Sequence, residues 1–224
     1  MASRTGVFTS SVGTKILVGV TGFALFLYLV AHIAGNALIF FGPTVFNGYS
    51  HLLLSNPLIP VIEVGLALIF LVHIFKTAKM FLGNRRARPV AYARKEYAGA
   101  PSRKTFSSST MILSGLWLLL FVLIHVKQFK YGPEYVDRAT GIRDLYRLEM
   151  ENFAHPLLVA FYVLSMAAVG SHLWHGVASA CQSVGASHST WTPRLLVAGK
   201  VAATVIAGAF IVIALWAHFM GGRL

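Results

Sequence analysis

The chain has 224 residues, of which 56% are hydrophobic and only 12% are charged, with a formal net charge of +12. Soluble domains usually carry about 25% charged residues, so this chain has too few charges to cover a water-facing surface. The composition excludes a soluble globular enzyme, a disordered protein and a nucleic-acid binder, and it indicates an integral membrane protein.

Five stretches of the chain are long and apolar enough to cross a bilayer as helices, because a hydrocarbon core of roughly 30 Å needs about 20 apolar residues. The predicted spans are about residues 16–41, 58–82, 109–130, 155–180 and 194–220. The run after Lys15 is too long for a signal peptide, so we expect the first span to be retained. We predict one all-α, multi-pass membrane domain over residues 1–224, and no internal repeat is apparent.

Lys and Arg residues indicate the orientation. Nine of them lie between Lys76 and Lys104, against the single acidic residue Glu96, whereas the segment from Gly42 to Pro57 is an uncharged loop. Short cytoplasmic loops are enriched in Lys and Arg, so we expect a cytoplasmic amino terminus and an outside carboxyl terminus. The basic loop either sets topology alone or also docks a cytoplasmic partner or anionic lipid heads. The stretch RDLYRLEMENF predicts a short amphipathic segment on the outer surface.

Each of the first four spans contains a histidine within its apolar run: His32, His73, His125 and His172. Ionisable residues at this depth are expensive and usually functional. Alternate spans run in opposite directions, so the rise per residue places His32 and His125 in the outer half and His73 and His172 in the inner half. The two levels differ by roughly 10–15 Å.

Two histidines at each of two levels predict two haems, each with iron held by two neutral imidazoles. Zinc or copper would gather three or four ligands at one level, and the single Cys181 excludes a cysteine-ligated iron–sulfur cluster. The alternative is four unrelated polar residues that bond across helices. His175 competes with His172 as a ligand, and we prefer His172 because it lies nearer the level of His73.

Two glycines accompany the outer histidines. Gly22 precedes His32 by ten residues, and Gly115 precedes His125 by ten. Ten residues are about 15 Å of helix, so each glycine should lie near the inner histidine level. They either make room for the inner porphyrin or simply let helices pack closely.

Several segments resemble the cytochrome b subunit of succinate dehydrogenase and fumarate reductase, in its single-chain, five-helix, di-haem form (the b558 family). They are SSVGTK, TGFALFLYLVAHIAGN, FNGYSHLLLSNP, LVHIFKTAK, LLLFVLIHVKQFKYG, RDLYRLEMENF and SHLWHGVASACQSVG, and they cover nearly the whole chain. The resemblance implies that His32 and His125 hold the distal haem b and that His73 and His172 hold the proximal one.

The resemblance further implies a membrane anchor in a bacterial inner membrane. Its partners would be an FAD flavoprotein subunit and an iron–sulfur subunit on the cytoplasmic face, and its substrate a membrane quinone, usually menaquinone. The succinate chemistry would belong to a partner subunit. Glu63 is the only acidic residue within a span, so it is a quinone-site or proton-path candidate. Its alternative role is a carboxyl that reaches the outer interface. Asn36 and His51 are weaker candidates.

Two other classes compete with this interpretation. One is a cytochrome b subunit of a hydrogenase or formate dehydrogenase, which the pattern of one histidine in each of four consecutive spans disfavours. The other is a transporter or channel, which would need broken helices or charged residues around a midplane cavity. Apart from Glu63 and Lys200, the spans offer few such residues.

Overall fold

The computed structural model describes residues 10–87, 105–186 and 188–221, and this part of the chain is helical without β-strands. The helices are α1 (Ser11–Asn36, continued by a 3₁₀ turn at Ala37–Phe41), α2 (Pro43–Leu54), α3 (Ile59–Arg86), α4 (Phe106–Ser109), α5 (Met111–Phe129), α6 (Leu145–Phe153), α7 (Pro156–Ser183) and α8 (Trp191–Gly221). As predicted, five helices are long and apolar enough to cross a membrane, namely α1, α3, α5, α7 and α8.

The span boundaries differ from the predicted ones mainly at polar ends. The first helix begins at Ser11, because the side chain of Ser10 caps it by accepting a hydrogen bond from the backbone N–H of Gly13 at 3.0 Å. The helix α3 continues to Arg86, so the first basic residues of the Lys76–Lys104 segment lie on this helix. Residues 88–104 of that segment lie outside the described residues.

The helix α7 is at the centre of the packing. It contacts α8 along its length, and it also packs against α1 and α5, whereas α3 packs mainly against α1. Small residues bring α7 and α8 together, since a Cβ on Gly170 would lie 3.1 Å from Cβ of Ala207. No residue of α3 is buried within the described structure.

The prediction of a loop from Gly42 to Pro57 is wrong, because most of this segment forms α2. Gly42 adopts a φ of 87°, which favours glycine and turns the chain out of the 3₁₀ segment. Pro43 then begins the new helix at its first position, where proline loses no helix hydrogen bond. Phe46, Asn47 and Ser50 recur at helical spacing and are buried.

The predicted amphipathic segment is the helix α6, and its apolar face is covered by protein. Tyr146, Leu148, Met150 and Phe153 are buried, and α6 packs against α2, α5, α7 and α8. Asn47 links the two short helices: its Nδ2 donates to Oδ1 of Asp144 at 2.8 Å, and its Oδ1 accepts from the backbone N–H of Tyr146 at 2.8 Å. We call the end of the bundle where α2 and α6 lie the α6 end.

Candidate functional site

Near the α6 end, His32 of α1 and His125 of α5 face each other. Their ring centres are 5.8 Å apart and their planes are nearly perpendicular, at 87°. Aromatic rings enclose them: Tyr28 stacks on His32 at 5.3 Å, and Phe121 stacks on His125 at 5.5 Å. We call this arrangement the outer pair.

His73 of α3 and His172 of α7 form a second level, which we call the inner pair. Nδ1 of His73 lies 3.1 Å from Oγ1 of Thr21 on α1, and Nδ1 of His172 lies 3.1 Å from Oγ of Ser114 on α5. The rings of His73 and His172 are close enough to interact electrostatically if one of them is charged. Thr21 and Ser114 each precede an outer histidine by eleven residues, so about 16 Å of helix separates the two levels.

The hydroxyl groups beside the inner pair fix which ring nitrogen carries hydrogen. Thr21 donates its single hydroxyl hydrogen to the carbonyl oxygen of Leu17 at 2.7 Å, and Ser114 donates to that of Met111 at 3.1 Å. With its hydrogen directed at the backbone carbonyl, each hydroxyl oxygen accepts from the histidine beside it. Nδ1 is then the protonated nitrogen of His73 and His172, and Nε2 keeps a lone pair for a metal.

His125 in the outer pair has an equivalent partner. The hydroxyl of Tyr162 donates to Oε1 of Gln128 at 2.7 Å, so it accepts from Nδ1–H of His125 at 3.2 Å. His32 differs, because its ring neighbour is the amide Nδ2 of Asn36 at 3.4 Å, which donates to the backbone carbonyl of His32 at 2.8 Å. Asn36 therefore contacts an outer histidine, but it does not fix the tautomer of that ring.

Both conspicuous glycines face the inner pair. A Cβ on Gly22 would lie 3.1 Å from Cε1 of His73, and a Cβ on Gly115 would lie 3.7 Å from Cε1 of His172. The glycine at each of these positions therefore keeps its helix thin where an inner histidine passes. The approach is closer at Gly22 than at Gly115.

Sequence reasoning missed the hydroxyl residues, although a signal for them is present. Thr21-Gly22 and Ser114-Gly115 are each followed by nine residues and a histidine, so α1 and α5 share one pattern. The hydroxyl–glycine pair on α1 serves the histidine of α3, and the pair on α5 serves that of α7.

The geometry of the outer pair fits ligation of one metal by two imidazoles. A metal–imidazole bond of roughly 2 Å on each side would separate the ring centres by about 6 Å, and the observed separation is 5.8 Å. Within residues 10–87, 105–186 and 188–221, no group of three or more His, Cys, Asp or Glu side chains is placed to hold a metal. Two imidazoles per level suit an iron whose other ligands come from a porphyrin.

His175 stands apart from the inner pair. It is half-buried, one turn beyond His172, and near enough to interact with the charge of that residue. In the described part of the chain, no hydroxyl holds the ring of His175, whereas Ser114 holds that of His172. The geometry therefore favours His172 as the partner of His73.

Glu63 forms an ion pair with Lys130, the residue that caps the carboxyl end of α5. Both side chains are about two fifths exposed, at 42% and 43%. The charge of Glu63 is also felt at Tyr28, whose ring stacks on His32. Glu63 therefore lies close to the outer pair, and its cationic partner was not predicted.

His51 lies at the α6 end in a half-open cavity of about 250 Å³. The cavity is also lined by Ser50, Leu54, Ser55, Arg143 and Leu145. Arg143 donates from Nη2 to the carbonyl oxygen of Phe129 at 3.0 Å, and the ring of Phe129 contacts His125. His51 is therefore outside the outer pair and separated from it by other side chains.

The fold and this site define a helical membrane protein with two levels of paired histidines. No family model matches the chain, and no curated protein or solved structure gives a significant match.

Proposed function

We propose that this chain is the di-haem cytochrome b membrane anchor of a succinate:quinone oxidoreductase, either a succinate dehydrogenase or a fumarate reductase. It passes electrons between an iron–sulfur subunit and a membrane quinone. The observation that carries the proposal is the arrangement of four histidines on four helices as two pairs. Three of their rings keep Nε2 available because a hydroxyl oxygen accepts from Nδ1.

In this proposal His32 and His125 hold the distal haem b, and His73 and His172 hold the proximal haem b. Bound haem supplies one-electron chemistry at iron. The chain supplies the axial imidazoles, their orientation and an apolar surrounding. Thr21, Ser114 and Tyr162 are positioning residues, because a hydrogen bond to the second ring nitrogen fixes the tautomer and raises the basicity of the ligand.

Topology and partners follow from charge. The carboxyl end of α3 carries Arg85 and Arg86 in its last turn, and basic residues prefer the cytoplasmic side. We therefore place the α6 end outside, with a cytoplasmic amino terminus and an outside carboxyl terminus, in a bacterial inner membrane. An FAD flavoprotein and an iron–sulfur subunit dock at the basic end, and succinate or fumarate is converted on the flavoprotein.

Quinone chemistry needs a proton-exchanging group, since quinone reduction takes up protons and quinol oxidation releases them. Glu63 has the necessary carboxylate and lies near Tyr28 and the outer pair. We assign it to the quinone site or its proton path, with Lys130 as its counter-charge. Menaquinone is the expected substrate.

The reduced-minus-oxidised absorbance spectrum of the purified protein tests the cytochrome assignment, and we expect b-type bands with two haems per chain. His32→Ala or His125→Ala should remove one haem, and His73→Ala or His172→Ala should remove the other. Absence of b-type bands would contradict the proposal. If His175→Ala loses a haem and His172→Ala does not, the inner ligand is His175.

Purification of the native complex tests the enzyme assignment. FAD and iron–sulfur subunits that oxidise succinate or reduce fumarate should accompany the chain. A hydrogenase or formate dehydrogenase subunit in their place would show the competing class of cytochrome b.

A further inference from the structure

Glu149 is a carboxyl group buried at the α6 end without a cation. It lies on α6 and is 5% exposed. The ion pairs found within the described residues do not include it. Its neighbours Arg147 and Glu151 pair with each other on the exposed face of the same helix. A buried acid without a counter-charge is costly to ionise, so it is rarely kept without a role.

Tyr162 connects the surroundings of Glu149 with the outer pair. The charge of Glu149 interacts electrostatically with Tyr146 on its own helix and with Tyr162 on α7. The hydroxyl of Tyr162 is the group that accepts from Nδ1–H of His125. Tyr162 is therefore within range of the charge of Glu149 and in contact with His125 of the outer pair.

The other elements packed against α6 offer no compensating charge in the described structure. On α8, Nδ1 of His218 lies 2.8 Å from the carbonyl oxygen of Phe153. At the start of α6, Asp144 accepts from Asn47 of α2. On α5, Gln128 accepts from Tyr162, and Lys130 pairs with Glu63 of α3.

Burial therefore decides the protonation of this acid. It raises the pKa of Glu149 from the ordinary 4.5 to about 8, because a low-dielectric surrounding disfavours the carboxylate. A group with a pKa near the ambient pH responds to small changes in nearby charge. The positive charge of an oxidised iron at the outer pair would favour the carboxylate, and an electron that cancels this charge would favour the carboxylic acid.

We propose that Glu149 is the proton-exchanging group of the outer pair, binding one proton when an electron arrives there and releasing it when the electron leaves. The electron source depends on the proposed function, through the iron–sulfur subunit or a quinol. The carboxylate and one proton from the aqueous phase at the α6 end give the carboxylic acid. One charge of each sign enters, so the net charge of this end is unchanged.

The path for a proton from water to Glu149 is short. The helix α6 has nine residues, and Arg147 and Glu151, two positions to either side of Glu149, are exposed. A proton needs to cross only the thickness of this helix. Glu63 lies at a different place, on α3, where it is paired with Lys130.

Infrared spectroscopy tests for the proton directly. Chemically reduced wild-type protein at neutral pH should show the C=O stretch of a protonated carboxyl that Glu149→Gln lacks and that Glu151→Gln, the exposed control on the same helix, retains. If Glu149→Gln does not accumulate, the wild-type band should titrate around pH 8. A wild-type protein without this band would overturn the proposal.

Redox titration tests the coupling. The midpoint potential of the outer haem, identified as the haem lost in His32→Ala, should fall with rising pH, by up to about 59 mV for each tenfold change in proton concentration in a one-electron couple. The slope should vanish in Glu149→Gln and persist in Glu151→Gln. An unchanged slope in Glu149→Gln, with both haems present, would overturn this proposal alone. A preparation without haem would overturn the proposed function and the coupling together, while the infrared band would still show the buried proton.

Discussion

Thr21, Ser114 and Tyr162 each donate their hydroxyl hydrogen to another oxygen, so their lone pairs face a histidine ring. This arrangement decides which ring nitrogen is free, before any ligand binds. The identity of one small residue on a neighbouring helix thereby controls whether a buried histidine can act as a ligand.

We predict that Thr21→Val weakens binding of the haem proposed at the inner pair by about 10- to 100-fold, the usual cost of losing a partner of a metal ligand. Valine keeps the shape of threonine but cannot accept from Nδ1–H of His73. Haem content measured during competition with an apo-haem acceptor protein would report the loss. Thr21→Ser is the control, since it restores the hydroxyl, and equal retention in Thr21→Val and wild type would contradict the assignment.

The two glycines give a matched pair of variants. Gly22→Ala places a Cβ 3.1 Å from Cε1 of His73, whose ring is held by Thr21 and cannot simply move aside. Overpacking of this kind costs about 1–3 kcal/mol, and we expect a lower melting temperature and less inner haem. Gly115→Ala leaves an ordinary distance of 3.7 Å to His172 and should be nearly neutral. A larger loss of stability in Gly115→Ala than in Gly22→Ala would contradict these distances.

The buried carboxyl of Glu149 should also make the free energy of unfolding depend on pH. Its folded pKa is raised to about 8 from 4.5, so its contribution is most favourable below pH 4.5 and is lost as pH rises to about 8. Relative to Glu149→Gln, wild-type protein should lose at most about 5 kcal/mol over this window, at 1.36 kcal/mol per unit of pKa. Melting temperatures of the two proteins in detergent across this pH range would show it. A difference in melting temperature that stays constant across this pH range would contradict a buried titrating acid.

At the scale of elements, α2 and α6 show where sequence reasoning stops. The long spans were predictable because hydropathy alone identifies them. The helix α2 was not, since twelve residues with a few polar side chains resemble a loop until a neighbouring helix covers Phe46 and Asn47. Glu149 likewise lies in a stretch rich in charge, and only the packing of α6 against other helices shows that it is buried.

Asn47 joins these two elements, so we predict that Asn47→Leu destabilises the protein by about 1–3 kcal/mol, the cost of one buried group without a partner. It would leave the buried backbone N–H of Tyr146 without its acceptor, whereas Oδ1 of Asp144 would keep its bond from the backbone N–H of Arg147. Thermal unfolding would measure the change. Asn56→Leu is the control, because Asn56 is exposed and bonds only within its own turn, and equal effects of the two would contradict the argument.

At the scale of the whole molecule, the pairing of histidines on different helices was predictable from depth. The rise of 1.5 Å per residue and alternating directions suffice to group His32 with His125. Depth does not reveal which way a helix is turned about its axis. For that reason the hydroxyl partners and the ion pair of Glu63 with Lys130 appeared only in the structure.

Orientation gives a whole-molecule prediction. In a Cys181→Ser background, a cysteine at Arg138, in the exposed turn before α6, should react with a membrane-impermeant thiol reagent in intact cells. A cysteine at Arg86, at the exposed end of α3, should react only after the membrane is opened. We expect this because the basic end of α3 favours the cytoplasm. The opposite labelling pattern would show that the chain has the inverted topology.

The shared pattern of α1 and α5 has a consequence for the origin of the protein. Each hydroxyl–glycine pair serves the histidine of the following long helix, α3 or α7, while the outer histidines meet between the two halves. The helical hairpins α1–α3 and α5–α7 thus carry the hydroxyl, glycine and histidine residues in the same order. Duplication and fusion of an ancestral hairpin that worked as a symmetric dimer would leave this pattern. In such an ancestor one histidine from each copy would have completed every ligand pair.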